Sequence, residues 1–449
     1  MSNNLNRYIT CQITFLDNTQ HSFQIERHSK GQILLDKVFD YLELVEKDYF
    51  GLQFTSFVET NQIDAGIRVE DFEDTLRSSK CSTMNFQKWL DPTKSVRKQM
   101  LCPPFNLFFR VKFYVSDPVK LVEEYTRYHI FLQIKKDLYE GRLVCPENIC
   151  TILASYAVQS EFGDYCPEEH GDHYLNDFKF IPNQDNNFLS KVVDLHKIRK
   201  GQTPAQAEFN FLEVAKTTEL YGIELFNAKD EDGNSVNIGC CNRGIIIFRS
   251  NQQQNIFQWT TIMKLAFKKK LFSVYMKDEK SDDEIVRVFN MQNPEVCKVL
   301  WKNCIEHHTF FRLVAPPALP QKSFFNIGSR YRYSGKTEFQ SIEEMKRRAR
   351  VERSFQRFSK NPSRLTATNN GNGQYTQPAV TDNSSNVHSI SSSYNTTKQQ
   401  NTLLLLSLEA PNKMDMETIS PKSKRDLIPI LVEKQSSRKE VTSVDTVLR

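Results

Sequence analysis

Residues 103–134 constrain the fold of this 449-residue chain more than any other stretch. Leu107, Phe109, Val111 and Phe113 alternate with Phe108, Arg110 and Lys112, the period of a strand with one buried face, so Arg110 and Lys112 are expected to point outward. The strand runs into Ser116-Asp117-Pro118, where Asp117 can cap a helix and Pro118 suits a first turn that needs no N–H partner. Apolar and aromatic residues at 121, 125, 128 and 132 then stripe one face of that helix. No catalytic group stands here; the junction joins two packed modules.

The chain has room for about three compact units. No apolar run approaches the roughly 20 residues needed to span a bilayer, and Leu403 to Leu406 is far too short. The first residues, Met1-Ser2-Asn3-Asn4, show no apolar signal core and no Gly at position 2 for myristoylation. Ten cysteines are scattered, which fits reduced thiols in the cytosol. The Cys145/Cys150 and Cys297/Cys304 spacings match no zinc pattern, so neither metal nor cofactor is expected. Residues 321–364 hold 12 Lys/Arg against 4 Asp/Glu, a local +8 on a chain whose net charge is +5, which leaves the remainder at −3. Such a basic stretch suggests an anionic surface or a regulated tail. Zinc-finger and aromatic RNA-binding signatures are absent, and no nucleic-acid partner is expected.

Residues 8–115 read as a small α/β lobe. Ile9 to Phe15 and His21 to Ile25 alternate as a hairpin around Asp17-Asn18-Thr19. A helix follows at 30–44 with Leu34, Val38 and Leu42 on one face, then strands near Phe50-Gly51-Leu52 and at 105–115. Residues 55–88 fit no element and read as an ordered insert, a mobile loop or a splicing artefact, of which the mobile loop is the expectation. Residues 116–221 read as helical, ending with Thr203-Pro204-Ala205-Gln206, a capping box with Pro at the first position, and with Gly222 as the stop. Residues 222–314 turn to strands, at 223–226, 236–238, 245–248, 265–267, 271–276 and 285–289, with a hairpin signal at Asp232-Gly233. One helix beginning near Pro294 closes the unit and presents Cys297, Trp301, Cys304, His308 and Phe311 on one face. Since adjacent helical residues diverge by about 100°, His307 and His308 are read as one packed and one solvated. A basic region at 320–364 follows, and from 365 to 449 Asn, Ser, Thr, Gln and Gly predominate, so that tail is expected to be disordered.

Roll, helical bundle and sandwich in that order resemble the three lobes of the FERM family. The motifs that carry the likeness are Trp89-Leu90-Asp91-Pro92 with Lys94, Phe113-Tyr114-Val115-Ser116-Asp117-Pro118, Ala207-Glu208-Phe209-Asn210-Phe211-Leu212 through Tyr221-Gly222, and Trp301-Lys302 through Arg312-Leu313. Gly328 to Glu338 looks like the FERM-adjacent region of the band 4.1 branch. Asp48-Tyr49-Phe50-Gly51-Leu52-Gln53 and Phe180-Ile181-Pro182-Asn183-Gln184 are similar to the FERM end of non-receptor tyrosine phosphatases that continue into PDZ and phosphatase domains. The resemblance implies an α+β, three-lobed fold: a ubiquitin-like roll, an acyl-CoA-binding-protein-like bundle, and a PH/PTB-like sandwich with a C-terminal helix.

A tyrosine phosphatase needs an activated cysteine in a phosphate-cradling loop, with Arg six positions on. None of the ten cysteines has Arg at that offset, and none follows a His, so no enzymatic activity is expected. The resemblance implies instead an adaptor at the inner face of the plasma membrane, possessing a lipid site and a peptide groove. Its partners would be phosphoinositide headgroups, cytoplasmic tails of membrane proteins and the cortical cytoskeleton, with cell junctions as one location. Lys94, Arg97 and Lys98 in the first lobe, with Lys264, Lys268, Lys269 and Lys270 in the third, are the candidate headgroup ligands, set against the plain reading of solvated loops. Leu265, Phe267, Trp301 and His308 are the candidate groove, although Leu265 and Phe267 point inward and read rather as core. Ser334, Ser354 and Ser359 lie in or beside the basic stretch, where phosphorylation would add roughly −2 per site, although basic flanks around serine are common by chance.

Overall fold

The computed structural model describes residues 7–60, 82–100, 103–171, 173–249, 252–278, 283–317, 331–348, 354–357 and 443–447. All of them fall in one of the two compact units into which the chain divides.

The first lobe is a five-stranded sheet with one helix against it. Its elements are β1 (Tyr8–Thr14), β2 (Gln20–Glu26), α1 (Gly31–Tyr41), β3 (Phe50–Thr60), β4 (Ser82–Trp89), the short α2 (Val96–Gln99) and β5 (Phe105–Val111). The sheet order is β2-β1-β5-β3-β4, with β1 and β5 parallel at the centre. Ile13, Leu34, Val38, Leu52, Leu107 and Phe109 fill its core. Gly31 opens α1 where a Cβ would meet the Asp91 carbonyl oxygen at 2.7 Å, so only glycine lets the Trp89-Leu90-Asp91-Pro92 turn pack there.

Three expectations are corrected in this lobe. Residues 55–88 are not a loop: Gln53–Thr60 pair antiparallel with Ser82–Trp89 as a long hairpin, and only 61–81 lies outside the described residues. Arg110 and Lys112 do not face water. Arg110 is 9% exposed and the Lys112 side chain 11%, because neighbouring lobes cover the strand face that a lone sheet would leave wet. Asp117 does act as a cap, accepting from the Val119 N–H, but over a single 3₁₀ turn at 118–120; the long helix starts only at Glu124.

The second lobe packs α3 (Glu124–Tyr139), α4 (Glu147–Phe162), α5 (Asn186–Lys197) and α6 (Pro204–Ala215). Both α3 and α4 are buried on nearly every face, so no polar stripe marks them as helices. The Thr203 capping box on α6 forms as read. Gly222 takes φ +67° with Tyr114 against it, a conformation and a closeness that a side chain would oppose.

The third lobe is built from β6 (Phe226–Lys229), β7 (Ser235–Cys240), β8 (Gly244–Arg249), β9 (Gln252–Gln258), β10 (Ile262–Lys268), β11 (Leu271–Lys277) and β12 (Glu284–Met291), closed by α7 (Pro294–Arg312). Strand β9 was absent from the sequence reading; Gln252 to Asn255 is a polar run with no apolar alternation. Asn293 caps α7 by accepting from the Val296 N–H at 2.8 Å. Helix α8 (Glu338–Arg347) follows, with a second capping box on Thr337. The last element, β13 (Ser443–Val447), pairs antiparallel with β10, so these five residues of the expected disordered tail are a strand. The remainder of 365–449 lies outside the described residues.

Candidate functional site: the lobe junction and the edge of strand β10

Helix α7 serves two lobes at once. One face lies in the third-lobe core through Cys297, Leu300, Trp301 and Cys304. The other end enters the first lobe: Phe310 stacks on Phe113 with ring centroids 4.1 Å apart, and Tyr49 meets it edge-on at 5.5 Å. This explains both histidines. His308 packs against Trp259 and His307 against Phe113, and both are buried, so neither is solvated as expected. Burial pushes His308 down to about 4, so it stays neutral at physiological pH.

Charged groups tie the same junction. Lys112, just after β5, places Nζ 2.9 Å from Glu306 Oε2 on α7, and the Tyr331 hydroxyl donates to Glu306 as well. Burial alone would raise the Glu306 carboxyl; Lys112, Lys302 and Tyr331 outweigh it and hold it below its ordinary value. Lys302 Nζ lies 3.5 Å from Asp91 Oδ2, and Lys94 Nζ 2.9 Å from the same oxygen. Asp91 also accepts from the Thr93 N–H and hydroxyl; together these overcome burial and bring its carboxyl down to about 2.

The structure therefore gives Lys94 a double character, ion-paired to Asp91 yet more than half exposed. Arg97 and Lys98 stand exposed on α2, Lys268, Lys269 and Lys270 are exposed around the β10–β11 turn, and Lys264 is half-buried with Nζ 4.9 Å from the Tyr275 ring centroid. Of the candidate groove residues, Leu265, Trp301 and His308 are buried; Leu265 and Trp301 form a wall where α7 meets β10, Trp301 Nε1 donating to the Leu265 carbonyl at 3.1 Å, whereas His308 packs on Trp259. Phe267 alone of the four is partly exposed, its ring 5.2 Å from Trp301. Beside this wall runs the β10 edge that receives β13, in the register Lys264↔Val447 to Lys268↔Ser443. Ser334 and Ser354 are exposed, and Ser359 lies outside the described residues.

Sequence reading missed Lys112, Lys302 and Glu306. Lys302 and Glu306 stand four apart on α7, a spacing that usually marks an exposed pair, so it gave no sign of a buried network. Sequence reading also left the basic stretch as an anionic-surface contact or a regulated tail. Its described parts cross all three lobes: the Tyr331 hydroxyl donates to Glu306 in the third, the Ser341 hydroxyl donates to Asp48 in the first at 2.5 Å, and in the second Lys120 pairs with Glu338 at 3.1 Å, Phe355 packs on Tyr125 and Tyr128, and Arg357 pairs with Glu124 and Glu208. Among the described residues, no helix is long and apolar enough to cross a membrane, and no group of three His, Cys, Asp or Glu is placed to hold a metal ion.

Four family descriptions match: the FERM N-terminal domain over residues 13–65, the FERM central domain over 116–226, the FERM C-terminal PH-like domain over 230–319, and the FERM-adjacent region over 323–365. Tyrosine-protein phosphatase 1 of Caenorhabditis elegans is 42% identical over 83% of this chain and 35% of its own length. Tyrosine-protein phosphatase non-receptor type 4 of Mus musculus is 45% identical over 79% of this chain and 36% of its length. Band 4.1-like protein 2 of Homo sapiens is 39% identical over 74% and 31% respectively. The chain thus spans about a third of each of these relatives. Among solved structures, the complex of the FERM and C-terminal domains of Drosophila Merlin aligns with a TM-score of 0.55 at 22% identity, covering 68% of this chain and 96% of that one. It shares the fold.

Proposed function

Because the chain belongs to the FERM family and carries the FERM-adjacent region of its band 4.1 branch, we propose that it is a non-enzymatic adaptor linking membrane proteins to the cortical cytoskeleton at the inner face of the plasma membrane. In this reading the β10–α7 groove takes cytoplasmic tails as an added strand, while Lys94, Arg97, Lys98, Lys264 and Lys268 to Lys270 meet phosphoinositide headgroups. The observation that carries it is the pairing of β13 on β10. An edge strand offers unpaired N–H and C=O groups, and a segment of this chain already uses them. Main-chain hydrogen bonds supply affinity there, and the half-buried Phe267 beside Trp301 supplies a side-chain contact.

The test uses immobilised cytoplasmic-tail peptides from single-span membrane proteins. A chain ending at residue 442 should be retained more strongly than the full chain, and an added 443–449 peptide should compete it off. A competitor with Pro at both 444 and 445 should fail, since one of two adjacent N–H groups in a strand must point at its neighbour. Retention that the 443–449 peptide leaves unchanged, or no retention of either form, overturns the groove assignment.

A second reading is favoured by the 45% identity to a phosphatase matched over only 36% of its length: the chain would be the targeting region of a FERM-PDZ tyrosine phosphatase. Coding sequence for a PDZ domain and a His-Cys-x5-Arg loop downstream of residue 449 would decide for it; their absence would decide for the adaptor.

A further inference from the structure

Helix α4 begins at Glu147 with Pro146 as its N-cap, so Cys145 is the residue before the cap and Cys150 the fourth of the helix. Side chains at these two positions meet in many helices as a hydrophobic staple that fixes how the chain enters. Here both members are cysteines, their sulfurs 3.0 Å apart. Cys145 is half-buried and thus reachable from solvent, whereas Cys150 is 6% exposed and faces the second-lobe core. The Cys150 sulfur also lies 3.4 Å from the Cys145 carbonyl oxygen. Neither residue touches the lobe junction or the β10 edge, so the pair is not explained by the reading above.

We propose that Cys145 and Cys150 are a redox modification site, a dithiol that hydrogen peroxide converts reversibly to a disulfide, turning the staple at the start of α4 into a covalent one. In the first step a thiolate sulfur of the pair attacks a peroxide oxygen. The O–O bond breaks, one water leaves, and a sulfenic acid forms. In the second step the other sulfur attacks that sulfenyl sulfur; the S–S bond forms, the S–O bond breaks, and the oxygen leaves as water with the remaining proton. Two thiols lose two electrons, and one peroxide gains them to become two waters. The Cys145 thiol hydrogen bond, together with backbone hydrogen bonds, lowers Cys150 below the ordinary cysteine value against the effect of burial, which favours a thiolate within the pair. Cys145 moves the opposite way, pushed up by the same hydrogen bond and by burial.

The test treats the full chain with hydrogen peroxide, alkylates remaining thiols, and digests with trypsin. Arg142 and Lys179 bound one peptide, 143–179, that holds Cys145, Cys150 and Cys166, so Cys166 is an internal control. The expected product carries one alkyl group, on Cys166, and has lost the mass of two hydrogens. Dithiothreitol before alkylation should restore three alkyl groups. In Cys145→Ser no crosslink can form, and Cys150 should be trapped by dimedone as a sulfenic acid. Full alkylation of both Cys145 and Cys150 after peroxide, at doses that oxidise Cys166, would show a packing staple only. So would a peptide that gains oxygen on these sulfurs without losing hydrogen.

Discussion

Lys112 Nζ lies 2.9 Å from Glu306 Oε2, and this pair, 11% and 6% exposed, joins the end of the first-lobe sheet to the closing helix of the third lobe. A buried pair contributes little relative to a well-packed apolar replacement, but breaking it leaves a charge that water cannot reach. Lys112→Ala should therefore cost about 3–5 kcal/mol in chemical denaturation, and Lys112→Met with Glu306→Leu should recover most of that. A loss below about 1 kcal/mol in the single variant, the value of a surface pair, would show that the junction does not depend on it.

Acid and neutral pH should act on the junction through different carboxyls. Asp91 is lowered from 3.8 to about 2, so its stabilisation is complete above 3.8 and lost as pH falls through 2. Glu224, whose Oε2 accepts from Asn303 Nδ2 at 3.3 Å, is pushed by burial from 4.5 to about 7; Arg142 and Asn303 only partly oppose this. Its sign is the reverse: the contribution is complete below 4.5 and lost as pH rises through 7. Unfolding free energies measured from pH 4 to 8 should decline less in Glu224→Gln than in the parent chain. An unchanged slope would place this carboxyl in water.

Much of the fold was legible because the deciding signals were local. The Thr203 capping box, Asp232-Gly233 and the Pro294 helix start depend on neighbours within a few residues, and each appears where it was read. Strand β9 and the 53–60/82–89 hairpin were missed for want of apolar alternation, whereas the misread charged and polar side chains share one cause, burial by another lobe. Arg110 and Lys112 look like an exposed face until other lobes cover them, and His307 looks solvated until Phe113 packs on it. Likewise Arg357 resembles one more charge in a basic tail, though its partner Glu208 is 149 residues away. Leu265 was legible as an inward strand residue and Trp301 as part of the inner face of the closing helix, but nothing in the composition of 443–447 marked it as the strand paired with β10.

Arg357 tests whether the basic stretch is a strap or a tail. Its Nε donates to Glu208 Oε1 at 2.7 Å and its Nη2 to Oε2 at 3.1 Å, and the Glu208 side chain is 1% exposed. Arg357→Ala should destabilise the chain by about 2–3 kcal/mol, as expected for losing hydrogen bonds to a buried charge. Ser354 lines a cavity of about 210 Å³ together with Glu43, Glu123 and Phe355. Phosphorylation there would set roughly −2 of charge beside two carboxylates, and Ser354→Glu should lower the melting temperature in the same direction as Arg357→Ala. If neither variant melts earlier than the parent, the segment at 354–357 does not hold the lobes.

The β3–β4 hairpin yields a comparison of two deletions. Joining the strands through a short Gly-Ser linker in place of residues 62–80 keeps every described pair from Gln53↔Trp89 to Thr60↔Ser82. Halving a loop changes closure entropy by only about 0.6 kcal/mol, so this chain should melt within a few degrees of the parent. Removing 58–86 instead takes Phe86 away from the third-lobe core and abolishes the outer half of the hairpin. It should melt at least about 5 °C lower. Equal melting of the two would mean that the hairpin contributes nothing to packing.

Lipid binding should depend on the exposed cations rather than on the buried ones. Each cation at an anionic surface contributes about 1 kcal/mol and is screened by salt. Lys94 is half engaged by Asp91, which leaves Arg97, Lys98 and Lys268 to Lys270 as the freely exposed charges of the set. In sedimentation with vesicles containing phosphatidylinositol bisphosphate, Lys94→Glu with Lys264→Glu and Lys269→Glu should abolish capture at physiological salt. Arg97→Glu with Lys98→Glu should weaken it at least tenfold. Lys302→Met, which alters a buried network with the exposed charges left in place, should be captured like the parent wherever it remains folded by circular dichroism. Capture that survives the triple reversal, or that is equal on phosphatidylserine vesicles of matched charge, would reduce the site to a general attraction of a basic surface.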